Sequence, residues 1–292
     1  MRVLVTGSGG MVGRAVRELC EQSGDTVFAY DRAALDIANA EQVSEMVRRS
    51  EPDAVINCAA WTDVDGCETD VERAYAVNAR GPENLAIASR DANAAFVTIS
   101  TDYVFDGAKE GFYTEEDQPN PQSAYGRAKL EGERRSQKAN PQSVIVRTGF
   151  IFGRGGKNFL STVIDRARRG EQIKAITDAY GTPTYSRDLA RRLRELAQLN
   201  HPGIFHVANA GNGVSYAEFA REAIKCANLG EPQVEEVLTE SLNRPAPRPQ
   251  NSRLRSVYFA ALGLAPLPDW RDSLCKFAAE TRDPSTDYAD SI

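Results

Sequence analysis

The strongest constraint on this chain is an alternation of short apolar runs with longer amphipathic stretches. The runs fall at residues 3–5, 27–30, 54–58, 96–99 and 144–146. Helical patterning fills 11–21, 40–49, 71–90 and 123–138 between them. Continuous apolar strands separated by helices describe a parallel sheet buried on both faces. Asn39 followed by Gln42 has capping-box spacing and sets a helix start just after Asp36 and Ile37. The later part is less regular, with helices expected at 158–169, 187–199 and 215–227 and a strand at 203–208. Prolines through 244–253 remove amide donors and fix φ, so that stretch is neither regular helix nor central strand.

Composition narrows the partners. The 292 residues carry 35 basic and 41 acidic side chains, a net charge of −6 without a basic block, which disfavours nucleic acid. No apolar run reaches the ~20 residues that cross a bilayer, and no secretory leader pattern follows Met1. No membrane association and a cytoplasmic location are expected. Cys20, Cys58, Cys67, Cys226 and Cys275 form no C-x-x-C pair and suit a reducing compartment. His201 and His206 are read as structural, and no metal site is expected.

The first turn reads Gly7-x-x-Gly10-x-x-Gly13 between a strand and a helix. Glycines there permit tight turning and let backbone amides approach a pyrophosphate at the helix N-terminus. Asp31 ends the second strand, where an acid accepts hydrogen bonds from an adenosine ribose. Arg32 beside it suits a 2′-phosphate instead, so these two residues leave NAD and NADP both open.

Of ten tyrosines, only Tyr125 has a lysine four residues on, Lys129, which puts both on one helical face. An ammonium near the phenol would stabilise phenolate and lower the tyrosine pKa. Such a donor passes a proton to a carbonyl oxygen. Thr101, at the C-terminal end of the fourth strand, is placed to hydrogen-bond the same oxygen.

Six strings carry a family resemblance: V-L-V-T-G-S-G-G-M-V-G (3–13), D-A-V-I-N-C-A-A-W-T-D-V-D (53–65), S-T-D-Y-V-F-D-G (100–107), Y-G-R-A-K-L-E-G-E (125–133), Y-G-T-P-T (180–184) and R-P-Q-N-S-R-L (248–254). With them the chain resembles the extended short-chain dehydrogenase/reductases and, more narrowly, the dTDP-4-dehydrorhamnose reductase family along nearly its whole length. The resemblance implies an α/β fold, a Rossmann-type doubly wound parallel sheet with a smaller C-terminal substrate-binding lobe. Residues 1–150 would bind the dinucleotide, with 173–210 contributing. Residues 151–172 and 211–280 would form the lobe, and 281–292 a flexible tail.

The resemblance implies Tyr125 as proton donor, Thr101 as its partner on the C4 oxygen and Lys129 as ligand of the nicotinamide ribose. Gly7, Gly10, Met11, Val12 and Gly13 would line the pyrophosphate, Asp31 and Arg32 the adenosine ribose, and Asp36 and Ile37 the adenine. Ala59, Ala60, Trp61, Thr62 and Ile99 would flank the cofactor, NADPH with NADH as the alternative. Asp102, Phe150 and Arg253 would touch the sugar nucleotide. Phe150 stands where the family often has tryptophan after R-T-S, and the string here is R-T-G-F (147–150). Ala15 stands where some members carry a magnesium-associated glutamate, so no such metal is expected.

The implied activity is NADPH-dependent reduction of the C4 ketone of a nucleotide-linked 6-deoxy-4-keto sugar, dTDP-4-dehydro-L-rhamnose first, by a homodimer. The rivals are a 4,6-dehydratase or epimerase of the same superfamily, and a non-catalytic subunit resembling the methionine adenosyltransferase β-subunit. Dehydratases carry Asp-Glu after the threonine, whereas this chain has Asp102 and Tyr103. Two basic segments also need placing. G-R-G-G-K-N (153–158) lacks Walker spacing and reads as a loop into the next helix. Arg244, Arg248, Arg253 and Arg255 have no acid between them and could grip a diphosphate.

Overall fold

A computed structural model describes residues 1–231 and 233–281. Apart from Thr281, the expected flexible tail (281–292) lies outside the described residues. The chain opens with β1 (Arg2–Thr6), α1 (Met11–Gln22), β2 (Thr26–Tyr30), α2 (Ala40–Ser50) and β3 (Ala54–Asn57). Then come α3 (Val64–Thr69), α4 (Val71–Tyr75), a π-helical turn (Ala76–Arg80), α5 (Gly81–Asp91), β4 (Ala95–Thr101), α6 (Ala124–Ala139) and β5 (Val144–Thr148). The remainder holds β6 (Ile151–Phe152), α7 (Phe159–Arg168), β7 (Ile173–Ile176), β8 (Tyr180–Gly181), β9 (Thr184–Tyr185), α8 (Ser186–Leu199) and β10 (Gly203–His206). Last are β11 (Val214–Ser215), α9 (Tyr216–Cys226), β12 (Val234–Val237) and α10 (Trp270–Glu280).

Six strands form one parallel sheet in the order β10-β5-β4-β3-β1-β2. Alternate residues feed opposite layers, as a strand requires. Val3, Val5, Ile56 and Val97 meet α1 and α8 through Val16, Leu189 and Leu193. Leu4, Val55 and Phe96 meet α2 and α5 through Val43, Val47 and Leu85. Burial on both faces is why these strands read as unbroken apolar runs rather than as alternation. The order reverses beside β1, so the loops after β1 and β3 diverge and open a crevice at the strands' C-terminal ends.

A second core holds Phe152 of β6 with Leu160, Phe219, Trp270, Leu274 and Phe277 on α7, α9 and α10. Ile173–Ile176 pairs there with β12, while α8 and β10, later in the same 173–210 stretch, join the main sheet. Cys226 and Cys275, read from the sequence as suiting a reducing compartment, form a disulfide between α9 and α10. Helix packing brings together two residues 49 apart, which spacing alone does not reveal.

Two local readings also change. Asn39 does cap α2, accepting from the amides of Glu41 and Gln42, but the Gln42 side chain accepts from Asp36 N rather than closing a capping box. The helix expected at 71–90 is interrupted by the π turn. Pro82 has no N–H to give Asn78 O four residues back, so the α ladder cannot run through this point. The freed Asn78 carbonyl faces Gly132 of α6, where a β-carbon would stand only 2.2 Å away.

Candidate active site

The first turn after β1 can be built only from glycine at two positions. Gly7 has φ +65°, and a β-carbon on it would lie 2.7 Å from Ala59 N in the loop after β3. A β-carbon on Gly13 would lie 2.2 Å from Gly7 O. The loop therefore closes tightly onto the start of α1, with Gly10 at its N-cap position and no side chain capping the helix. The first amides of that helix are left to face the crevice.

A cavity of about 370 Å³ opens there. Of the expected cofactor residues, Gly7, Gly10, Asp31, Arg32, Asp36, Ile37, Ala59, Ala60 and Trp61 line it. Asp31 uses Oδ1 to accept from the amides of Ala33 and Ala34, which turns the chain after β2. Met11, Val12, Gly13, Thr62 and Ile99 are not part of its lining. Met11 instead lies under the 153–158 loop, its sulfur accepting from Ser161 Oγ at 3.5 Å. That loop leads into α7, capped by Asn158. The sequence reading missed Gly9, Ala33, Leu35, Cys58, Arg73 and Val77 in the same wall. Arg73 lies over the Trp61 ring, 4.3 Å from its centroid. Its only sequence signal is a position one helical turn before Val77.

Thr101, Tyr125 and Lys129 converge beyond this cavity, all three buried. Thr101 ends β4, and its Oγ1 donates to Asp102 Oδ1 at 3.1 Å while accepting from Tyr103 N. Ser123 caps α6 through Gly126 N, which fixes Tyr125 in the first turn and Lys129 one turn on. Thr101 acts on the Tyr125 phenol in the direction that lowers its pKa. Lys129 Nζ donates to Ile99 O at 2.7 Å. The π turn clamps the approach: Asn78 accepts from Trp61 N and donates to Trp61 O, both at 2.9 Å.

Burial sets the protonation of this group. Tyr125 is held above its ordinary value by desolvation, against the Thr101 hydroxyl and with help from the charge of Asp102. The expected lowering by Lys129 is therefore overturned: burying a phenolate costs more than the site returns. Lys129 itself is pushed down to about 8 by burial, with Glu133 pulling it back up. Asp102 is pushed up to about 6 by burial, against hydrogen bonds from Ser252 and Thr101.

The other residues expected to face the sugar nucleotide lie toward the second core. Phe150 has φ +49°, a strained backbone for a bulky residue. Its ring fits over Gly181, where a β-carbon would be 2.1 Å from it, and lies 4.4 Å from the Tyr216 ring. Arg253 is braced by Asn251 Oδ1 at 2.7 Å, with its guanidinium near the Phe112 and Tyr180 rings. Arg248 does find an acid outside its own segment: Asp65 of α3 takes it bidentately, both contacts at 2.8 Å. Arg255 stacks on Phe112. The 100–107 and 248–254 strings pack together, since Pro249 lies where a Gly107 side chain would be, and Asn251 Nδ2 donates to the carbonyls of Lys109 and Gly111 just beyond the first.

Among the described residues, no group of three or more His, Cys, Asp or Glu is arranged to hold a metal ion. Ala15 is packed into the core beside Val16. Among the described residues, no helix is long and apolar enough to cross a membrane.

Comparison with known proteins places the chain in a family and a fold. The family model described as RmlD substrate binding domain matches residues 1–282. The chain belongs to this family. A dTDP-4-dehydrorhamnose reductase of Mycolicibacterium smegmatis is 38% identical, covering 98% of this chain and 88% of that relative. A probable dTDP-4,6-dihydroxy-2-methyloxan-3-one 4-ketoreductase of Streptomyces antibioticus is 39% identical over 94% and 93% of the two chains. The crystal structure of a Bacillus anthracis dTDP-4-dehydrorhamnose reductase in complex with NADP superposes with a TM-score of 0.91, at 34% identity over 95% and 98%. The family's Rossmann-type sheet is the one described above, with the α/β class expected from sequence.

Proposed function

We propose that the protein is an NADPH-dependent oxidoreductase, with NADH as the alternative donor. It reduces the C4 ketone of a nucleotide-linked 6-deoxy-4-keto sugar, dTDP-4-dehydro-L-rhamnose to dTDP-L-rhamnose first among them. The observation that carries this reading is the convergence of Thr101, Tyr125 and Lys129 beside a glycine cradle that a single β-carbon would fill.

That cradle fits a dinucleotide. Gly7, Gly10, Met11, Val12 and Gly13 would hold its pyrophosphate and Asp31 and Arg32 its adenosine ribose. Asp36 and Ile37 would face the adenine, with Ala59, Ala60, Trp61, Thr62 and Ile99 along its flank. When bound, the nicotinamide supplies the hydride. The chain's own residues manage the oxygen and the proton. Thr101 orients the carbonyl oxygen, and Tyr125 donates the proton as negative charge develops there. A phenol held above its ordinary pKa keeps that proton until the oxygen demands it. Lys129, as an ammonium, then compensates the phenolate left behind and holds the nicotinamide ribose.

Asp102, Phe150 and Arg253 would face the sugar nucleotide, in a cleft between residues 1–150 and a lobe of 151–172 and 211–280, with the later part of 173–210 serving the first. A dehydratase would need a second carboxylate where Tyr103 stands; its ring instead meets Tyr125 edge-on at 6.0 Å. The assembly proposed is a homodimer, which light scattering would report as twice 31.9 kDa. The location proposed is the cytoplasm, where charged nucleotide sugars and reduced dinucleotides are retained. The Cys226–Cys275 bond runs against that location, since disulfides are rare there. The test is a panel of keto-sugar nucleotides offered with NADPH and with NADH. Turnover confined to 4-keto-6-deoxy substrates supports the reading. A silent panel, with co-purification of a synthetase, favours the regulatory-subunit rival.

A further inference from the structure

One turn beyond Lys129 on α6 lies a buried ionic group that the proposed chemistry does not use. Glu133 Oε1 accepts from Ser100 Oγ at 2.5 Å and from Arg147 Nε at 2.9 Å, and its Oε2 accepts from Arg147 Nη2 at 2.7 Å. Ser100 and Arg147 are register partners on β4 and β5, so two neighbouring strands present both donors to one helix. All three side chains are buried, as is Lys129. Ser100 directly precedes Thr101, and Lys129 donates to the carbonyl of Ile99 directly before it. Asn78, Lys129, Ser100 and Glu133 border one small void between α6, β4 and the π turn.

A buried arginine–carboxylate pair is weak evidence for stability, because desolvating both charges offsets much of their attraction. Its placement is more telling. Residues four apart on a helix are neighbours, so the carboxylate stands next to the ammonium without bonding to it directly. The hydrogen bonds to Ser100 and Arg147 fix it in that position. Resting on the reading of Lys129 given above, we propose that Glu133 is a positioning residue whose locked carboxylate keeps Lys129 an ammonium next to Tyr125. Ser100 and Arg147 act through it by preventing its rotation away.

The other polar groups around Lys129 do not supply this field. On α6 itself Tyr125 is a neutral phenol, and on the π turn Asn78 is uncharged. Beyond β4, Asp102 is engaged with Thr101 and Ser252. On β5, Arg147 is a cation of the wrong sign. On β10, buried His206 is held neutral, at about 4, with Glu115 bonded to its backbone amide. Glu133 is the anion that counts for Lys129.

The test is Glu133→Gln, which preserves size and the Ser100 hydrogen bond but removes the charge. Lys129 is titrated by NMR on ε-¹³C-labelled lysine and assigned by its loss in Lys129→Arg. This readout needs no ketone turnover, so it is independent of whether the substrate reading holds. The expected result is a Lys129 midpoint at least about one pH unit lower than in the parent. The fall of kcat with rising pH should move down with it, while NADPH affinity at low pH is retained. An unchanged midpoint in the folded variant overturns the proposal and leaves Glu133 a structural residue. Because the single change strands the Arg147 cation, Glu133→Gln/Arg147→Met carries the same test if the first variant does not fold. A midpoint below the parent's supports the proposal there, and one equal to it contradicts it.

Discussion

Gly149 leaves the space that the Asp102 carboxyl occupies: a β-carbon on Gly149 would stand 2.3 Å from Asp102 Oδ2. The R-T-G string therefore does more than precede Phe150. It lets a buried carboxyl sit against the end of β5 beside Thr101. Gly149→Ala should displace Asp102 and with it the Thr101 hydroxyl. We expect kcat/KM to fall about tenfold or more, equivalent to ~1.4 kcal/mol of transition-state binding. Steady-state kinetics check this, and an unaltered kcat/KM would show that Asp102 does not orient Thr101.

Asp102 also predicts a pH dependence of stability. Its folded pKa of about 6 lies above the ordinary 3.8, so the folded chain binds the proton more tightly than the unfolded chain. That contribution is fully present below about pH 4 and is lost as pH rises through 6. The change amounts to about 3 kcal/mol over that window. Urea melts of the parent and Asp102→Asn should diverge across it, the parent losing the larger stability with rising pH. Parallel curves would mean that the carboxyl is solvated.

The parts of this fold that were legible from sequence are those fixed by local pattern. Buried parallel strands announce themselves as apolar runs, and Tyr125 and Lys129 share a helix face by spacing alone. What was missed depends on residues distant along the chain. Cys226 meets Cys275 only because α9 and α10 pack together. Arg248 finds Asp65 across 183 residues. The π turn follows from the missing N–H of Pro82 and the close approach of Gly132, which a single-helix periodicity hides. The direction of the Tyr125 shift was misjudged because proximity of charge is visible in a sequence and burial is not.

Trp61 offers an optical report on the cavity proposed to take the cofactor. The chain has two tryptophans, and Trp270 is fully buried in the lobe core. Bound NADPH should quench Trp61, and Trp61→Phe should abolish most of that signal. Arg73→Leu removes the cation above the ring and should weaken NADPH about fivefold, ~1 kcal/mol. A dissociation constant unchanged by Arg73→Leu would remove this residue from the cofactor wall.

The Cys226–Cys275 bond should show itself in reductant. Closing a loop of this separation, 49 residues, contributes up to about 4 kcal/mol by the chain-entropy model. Denaturant midpoints should fall on reduction, and Cys226→Ser should show the same fall without reductant. Equal midpoints in both states would mean that the lobe core alone holds α9 and α10 together.

The central claim concerns Tyr125 as proton donor to a C4 ketone. The most direct measurement follows NADPH oxidation with dTDP-4-dehydro-L-rhamnose for the parent and for Tyr125→Phe, with cofactor binding measured on both. The account predicts steady oxidation by the parent and a loss of about 10²-fold or more in kcat for the variant, with NADPH affinity retained. Turnover by Tyr125→Phe at the parent's rate would contradict it.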